Sequence, residues 1–323
     1  MRIDIWEKEE YTYEAAYGFV PNIRTYIHDD DEIRDCMLVV PGGGYCMVVP
    51  SEAAHVAKEF YNRGMNAFVL TYTTDITMSV PLKKQPLMDI SRAVRLLRSR
   101  AEEFKINPEK ITICGFSAGS HVCGSLCVHF DDVEDTNEKY KNFSNRPDAA
   151  ILAYPVITTG ELTHIYSVWT LLGRNASKED LDYFSLEKNV TENTTPCFLW
   201  QTAEDMAVPV ENSYMMAEAL KKKGVPFAHY VFPRGFHGLS VPNEAFFKGD
   251  FGEEYTYEQL HLAIENVKNN TAVNVSKERH DELMEQFFGE NKYAPAPSDG
   301  THPDYSDVLM WPDLAMAFIK NLK

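Results

Sequence analysis

The chain has 323 residues, 44% of them hydrophobic and 12% aromatic, with a formal charge of −17. That length can bury a large core as one α/β domain or two smaller ones, and the negative charge argues against nucleic acid or an anionic membrane surface as partner, since both need clustered Lys and Arg. No apolar run approaches the ~20 residues that span a bilayer, and acidic residues stand within Met1 to Glu10 where a secretory signal is apolar, so the expected location is cytoplasmic.

Taken in order, the first 35 residues hold two short strand-like pieces, Ile3 to Trp6 and Gly18 to His28, which read as an antiparallel edge. Met37 to Val40 is a compact apolar run of the kind buried on both faces of a parallel sheet, and it ends at Pro41-Gly-Gly-Gly-Tyr45. A helix over Glu52 to Arg63, closed by Gly64, and a strand over Ala67 to Thr73 complete a crossover unit. Leu87, Ile90, Val94, Leu97, Ala101 and Phe104 recur at helical spacing with arginines between them, predicting an amphipathic helix laid on a sheet.

The β-branched run Ile111-Thr-Ile113 then leads into Gly115-Phe-Ser-Ala-Gly119, and a helix is predicted from Ala118 to Phe130. Strands over Ala149 to Val156, Pro196 to Thr202 and Phe227 to Phe232, with a helix over Val210 to Lys223, continue the alternation, which predicts a mostly parallel sheet wrapped by helices. Two stretches interrupt it. Residues 157–195, with a helical segment near Tyr166 to Leu172, suit a small lid, and residues 242–306 read as an insertion carrying helices over Tyr257 to Val267 and Lys277 to Phe288. Thr256 and Gln259 are spaced as a capping box for the first of these, and a closing helix is expected from Pro312 to Leu322. The whole, 1–323, reads as a single domain.

Gly-x-Ser-x-Gly between a strand and a helix has a physical meaning: the sharp turn lifts the serine hydroxyl above the sheet edge. A serine hydroxyl is a poor nucleophile near neutrality and needs a histidine base held in its tautomer by a carboxylate. Downstream, Asp205 follows a strand end just before a helix, and His237 stands in the turn-rich Pro233-Arg-Gly-Phe-His-Gly-Leu-Ser240 after another. Asp205 is favoured over Glu204, although it could simply cap the following helix. His121 and His229 fall inside elements and read as structural, while His28, His55, His129, His164, His261, His280 and His302 lack a strand-end setting. The catalytic candidates are therefore Ser117, Asp205 and His237. The glycines after the first core strand suit an oxyanion hole built from the amides of Gly43 and Gly44, joined by that of Ala118. Neither Gly-rich phosphate-loop pattern is present, and the six cysteines lie in apolar segments without zinc-ligand spacing, so no cofactor and no metal are expected.

As a set, Pro41-Gly-Gly-Gly-Tyr45, Gly115-Phe-Ser-Ala-Gly-Ser-His121, Glu204-Asp-Met-Ala-Val-Pro209 and Gly235-Phe-His-Gly-Leu239 resemble the α/β-hydrolase esterases, above all their acetyl-xylan-esterase-like and hormone-sensitive-lipase-like branch. The resemblance covers roughly residues 37–240. Lipase-like members usually have His where this chain has Pro41 and carry a longer helical N-terminal cap, and both departures point to the small-ester, carbohydrate-esterase side. The resemblance implies an α/β-hydrolase fold and a serine carboxylesterase acting on a small-molecule ester, with acetyl esters of sugars or oligosaccharides as the expected substrates. An amide, formamide or peptide hydrolase using the same triad is the alternative, and a binding protein with an unused triad is a third reading. Residues 242–306 serve either as a lid or as a contact in a homo-oligomer. Phe246, Phe247, Tyr255 and Tyr257 within them could offer faces to a substrate or simply pack.

Overall fold

In a computed structural model that describes residues 1–289 and 302–322, eight strands form one sheet in the order β1-β2-β4-β3-β5-β6-β7-β8. They are β1 (Arg2–Asp4), β2 (Asn22–Tyr26), β3 (Arg34–Val40), β4 (Asn66–Thr71), β5 (Ile106–Phe116), β6 (Ala149–Ala153), β7 (Cys197–Thr202) and β8 (Phe227–Phe232). The pair β1–β2 and the pair β2–β4 are antiparallel, as expected for the edge, and β3 to β8 run parallel.

The helices among the described residues are α1 (Ala54–Asn62), α2 (Gln85–Ser99), α3 (Ala118–His129), α4 (Ile165–Leu172), α5 (Lys178–Tyr183), α6 (Glu211–Lys223), α7 (Glu244–Phe247), α8 (Glu258–Lys268), α9 (Lys277–Phe288) and α10 (Trp311–Lys320). The parallel strands show why apolar runs without alternation predict a sheet covered on both sides. Leu38, Leu70, Ile113, Leu152 and Leu199 pack on one face with Ile90 and Val94 of α2, Val122 and Leu126 of α3 and Leu220 of α6. Their neighbours Val39, Val69, Cys114, Ile151 and Phe198 pack on the other with Val56 and Phe60 of α1 and Trp311 of α10. All six cysteines are buried and unpaired.

Several bounds differ from the sequence reading, among them β6, which ends at Ala153, and α1, which begins at Ala54 after a 3-10 turn that holds Glu52. Helix α2 ends at Ser99, so Phe104 lies in the turn beyond it, buried against Phe68 at a ring separation of 5.2 Å. The Thr256–Gln259 capping box does not form. A 3-10 turn over Tyr255–Tyr257 precedes α8, and Gln259 turns its carbonyl to the backbone N–H of Thr74 at 2.8 Å, satisfying a buried donor elsewhere in the molecule. The insertion 242–306 supplies α7, α8 and α9, and residues 290–301 of it lie outside the described residues. Phe246 of this insertion packs against His55 and Phe236, and Tyr255 shares a 3.1 Å hydrogen bond between hydroxyls with Tyr26, so these aromatics are engaged in packing. No described helix is long and apolar enough to cross a membrane.

The chain leaves β3 for β4 on one side and later returns to place β5 on the other, with Val40 paired to Gly115. A reversal of this kind opens a crevice at the carboxyl ends of the two strands, where open α/β sheets bind ligands. The glycine segment after β3 and Ser117 after β5 meet there.

Candidate active site

Ser117 joins β5 to α3 with φ 51° and ψ −119°, a backbone that an L-residue rarely adopts. The surrounding packing imposes it. A Cβ on Gly115 would come within 2.5 Å of the Gly119 carbonyl oxygen, and one on Gly119 within 2.1 Å of that of Val40, so both glycines are needed for the helix to start so close to the strand. Ser117 N–H is held by the Ala153 carbonyl of β6 at 3.0 Å, which fixes the turn to the neighbouring strand.

The structure brings the three predicted side chains together from three strand ends. Ser117 Oγ lies 2.7 Å from His237 Nε2, and His237 Nδ1 lies 2.7 Å from Asp205 Oδ2. Asp205 does not cap α6, whose first turn has no side-chain cap. Its Oδ1 accepts the backbone N–H groups of Ala207 and Val208, both at 2.9 Å, which aims Oδ2 at the imidazole. Glu204, its neighbour, is exposed. Because Nδ1 faces a carboxylate, the ring proton sits there and Nε2 is left to accept from the serine hydroxyl.

Gly43, Gly44 and Ala118 follow β3 and β5 at the same crevice, and among the described residues none of their N–H groups donates a hydrogen bond within the protein. Gly42 N–H differs: it is bound at 2.6 Å by the buried carboxylate of Glu52. His121 behaves as the structural residue its position suggested, bridging the Tyr45 hydroxyl at 2.7 Å and the Phe184 carbonyl at 2.8 Å, and burial lowers its pKa to about 4. His229 meets Ser213 Oγ at 3.0 Å, away from the triad.

Two residues near the site were missed in the sequence. His164, just before α4, points its Cε1 to within 3.7 Å of where a Cβ on Gly44 would stand, and its Nδ1 meets Ser167 Oγ at 2.8 Å. Burial, then the nearby His237, lower its pKa from the ordinary value. Its only sequence signal was its place in the predicted lid. Glu52 was hidden because in the sequence it is only the first residue of the helix expected over Glu52 to Arg63. Among the described residues no three His, Cys, Asp or Glu side chains are grouped as metal ligands.

A narrow gap of only about 10 Å³ lies between Tyr45, His121, Val156, Thr158, Ser167 and Leu171. Of these residues Val156 touches the serine backbone, its N–H donating to the Ser117 carbonyl at 3.3 Å. The larger surface hollows lie elsewhere, one around Tyr13, Val80 and Tyr183, another at the opposite strand ends around Asp35, Lys110 and Asn321.

Residues 26–220 match the BD-FAE family model, a span that takes in Ser117 and Asp205 and stops short of His237. The chain is 65% identical over 258 residues to endo-1,4-beta-xylanase B of Butyrivibrio fibrisolvens, covering 80% of this chain and 41% of that protein. It is 29% identical over 269 residues to acetylxylan esterase of Xylanibacter ruminicola, covering 80% of this chain and 46% of that one. It thus spans less than half the length of either relative. Among solved structures, an acetyl ester-xyloside bifunctional hydrolase from Caldicellulosiruptor lactoaceticus aligns with a TM-score of 0.71 at 36% identity, covering 78% of this chain and 92% of that one. The chain belongs to the BD-FAE family, with the fold of the α/β-hydrolases.

Proposed function

We propose that this chain is a serine esterase that removes acetyl groups from xylan or its oligosaccharides, with Ser117, His237 and Asp205 as its triad. The observation that carries the reading is the unbroken chain of two 2.7 Å contacts from Ser117 Oγ through His237 to Asp205. Ser117 Oγ attacks the ester carbonyl as His237 Nε2 takes its proton, and the Nδ1–H to Asp205 hydrogen bond stabilises the imidazolium that forms. In this reading the amides of Gly43, Gly44 and Ala118, which donate to no other group among the described residues, receive the oxyanion. His237 then returns its proton to the departing sugar oxygen, leaving acetyl-Ser117. Water, deprotonated by the same imidazole, attacks the acyl-enzyme and releases acetate.

Support for the acetyl group comes from the relatives named as an acetylxylan esterase and an acetyl ester-xyloside hydrolase. Support for a xylan-derived alcohol comes from the relatives, one named as an acetylxylan esterase, one as a xylanase and one as an acetyl ester-xyloside hydrolase. The test is a panel of acetylated xylo-oligosaccharides, p-nitrophenyl esters from acetate to octanoate, a formamide and a dipeptide. Acetyl esters should lead in kcat/KM and fall steeply beyond butyrate. A preference for the formamide or the dipeptide would overturn the assignment in favour of amide hydrolysis.

A further inference from the structure

Glu52 lies in the 3-10 turn that leads into α1 and is only 3% exposed. Its two carboxyl oxygens face different loops of the site. Oε2 accepts Gly42 N–H at 2.6 Å, at the root of the glycine segment, and Oε1 accepts the Tyr154 hydroxyl proton at 2.7 Å, at the end of β6. The Tyr154 oxygen in turn accepts Ser240 N–H at 3.2 Å, three residues beyond His237. The Tyr154 ring meets the His237 imidazole edge-on, with centroids 4.9 Å apart.

We propose that Glu52 is a positioning residue for the esterase reaction: its carboxylate locks the glycine segment that carries the oxyanion donors to the tyrosine that backs His237. The inference rests on the serine-esterase reading of the site. The packing around Gly42 shows how little play the linkage leaves, since a Cβ there would come within 2.6 Å of the Phe116 carbonyl oxygen, 2.9 Å of Ser117 Cβ and 3.0 Å of Glu52 Oε2. Shifting Gly42 thus moves the next two amides relative to the nucleophile.

The hydrogen-bond directions suit the ionised form. Gly42 and Tyr154 both donate, one to each oxygen, and the phenol oxygen is already an acceptor for Ser240. A glutamine whose oxygen accepts Gly42 N–H presents its NH2 to Tyr154, so the Tyr154 link must reverse onto a phenol oxygen that already accepts from Ser240, or be lost. Burial raises the Glu52 carboxyl above its ordinary value, opposed by the hydrogen bonds from Tyr154 and Gly42 and by the charge of His237. Among the described residues no Lys or Arg pairs with this buried carboxyl, so its charged form is a cost to the fold, which fits a role in the site better than one in stability.

The experiment compares Glu52→Gln and Tyr154→Phe with the wild type and with Ser117→Ala on p-nitrophenyl acetate, counting active sites by complete fluorophosphonate labelling and mass spectrometry. Displacing oxyanion donors without deleting them should cost less than the ~10²–10³ lost with a whole donor, so kcat per labelled site should fall about 10- to 100-fold in Glu52→Gln at a KM within about threefold. Tyr154→Phe keeps the Gly42 link and should lose less, yet more than about threefold. A kcat per labelled site within about threefold of wild type in both variants overturns the proposal, as does an effect confined to KM. If Glu52→Gln fails to fold, Tyr154→Phe decides by the same limits. Activity surviving in Ser117→Ala would instead show that the esterase reading itself had failed.

Discussion

Ser117 keeps a left-handed backbone at φ 51° only because β5, α3 and the Ala153 carbonyl of β6 fix it from three sides. Such strain is found at nucleophiles presented from a sharp turn. In the proposed reaction the side chain it presents is useful only if His237 holds the right tautomer, a task that falls to Asp205 in that reading. Replacing Asp205 with Asn removes the acceptor that keeps the proton on Nδ1, and kcat on p-nitrophenyl acetate should fall by about 10⁴ with the fold retained. A loss below tenfold would show that another group orients the imidazole. Ser117, Asp205 and His237 were legible because each needs a turn after a strand, and turns write themselves in Gly, Pro and Asp. Glu52 and His164 were not, because their part in the site depends on contacts across more than 70 residues of chain, which local patterns do not carry: Glu52 reaches Tyr154, and His164 reaches Gly44.

At the scale of elements, α10 does more than close the chain. Trp311, at its first turn, is fully buried against Phe60, Phe116 and Trp200, and its indole N–H donates to the Ser240 carbonyl at 2.8 Å. One side chain thus fills the lower face of the sheet and holds the loop that follows His237. Trp311→Ala should cost ~3–5 kcal/mol in denaturant unfolding, mainly from the cavity. Trp311→Phe keeps most of the packing but leaves the Ser240 carbonyl without its donor, and should cost roughly 1–3 kcal/mol. Equal losses from the two would mean that the indole hydrogen bond, not the volume, dominates. The helices and strands of the crossover units were legible from apolar periodicity, because the sheet they cover fixes which residues must be apolar. The start of α8 was not: Thr256 and Gln259 have capping-box spacing, but a buried donor at Thr74 outbids the helix end for the glutamine.

Over the whole molecule, the parallel strands place the glycine segment and Ser117 at one crevice, where strand order reverses between β3 and β5. The core behind that crevice contains a neutral imidazole, and this ties stability to pH. His121 has its pKa lowered by burial to about 4 from the ordinary 6.5. Between those values the unfolded chain binds a proton that the folded one does not, so this contribution is complete above pH 6.5 and is lost as pH falls towards 4. At most about 3 kcal/mol is at stake, from the size of the shift. Glutamine in place of His121 can donate to Phe184 and accept from Tyr45 without titrating. Its unfolding free energy should therefore lie below that of the wild type at pH 7.5, with the gap narrowing by pH 4.5. A gap that stays constant would place the pH dependence elsewhere.

The central claim, that Ser117 carries the acyl group, is tested most directly by quenching the enzyme in acid during turnover of an acetylated xylo-oligosaccharide and mapping the adduct by peptide mass spectrometry. The account expects an acetyl mass on the peptide containing Ser117, absent from Ser117→Ala, together with acetate release by the wild type alone. Acetate release by Ser117→Ala at the wild-type rate, or an acetyl mass on a different residue, would contradict it.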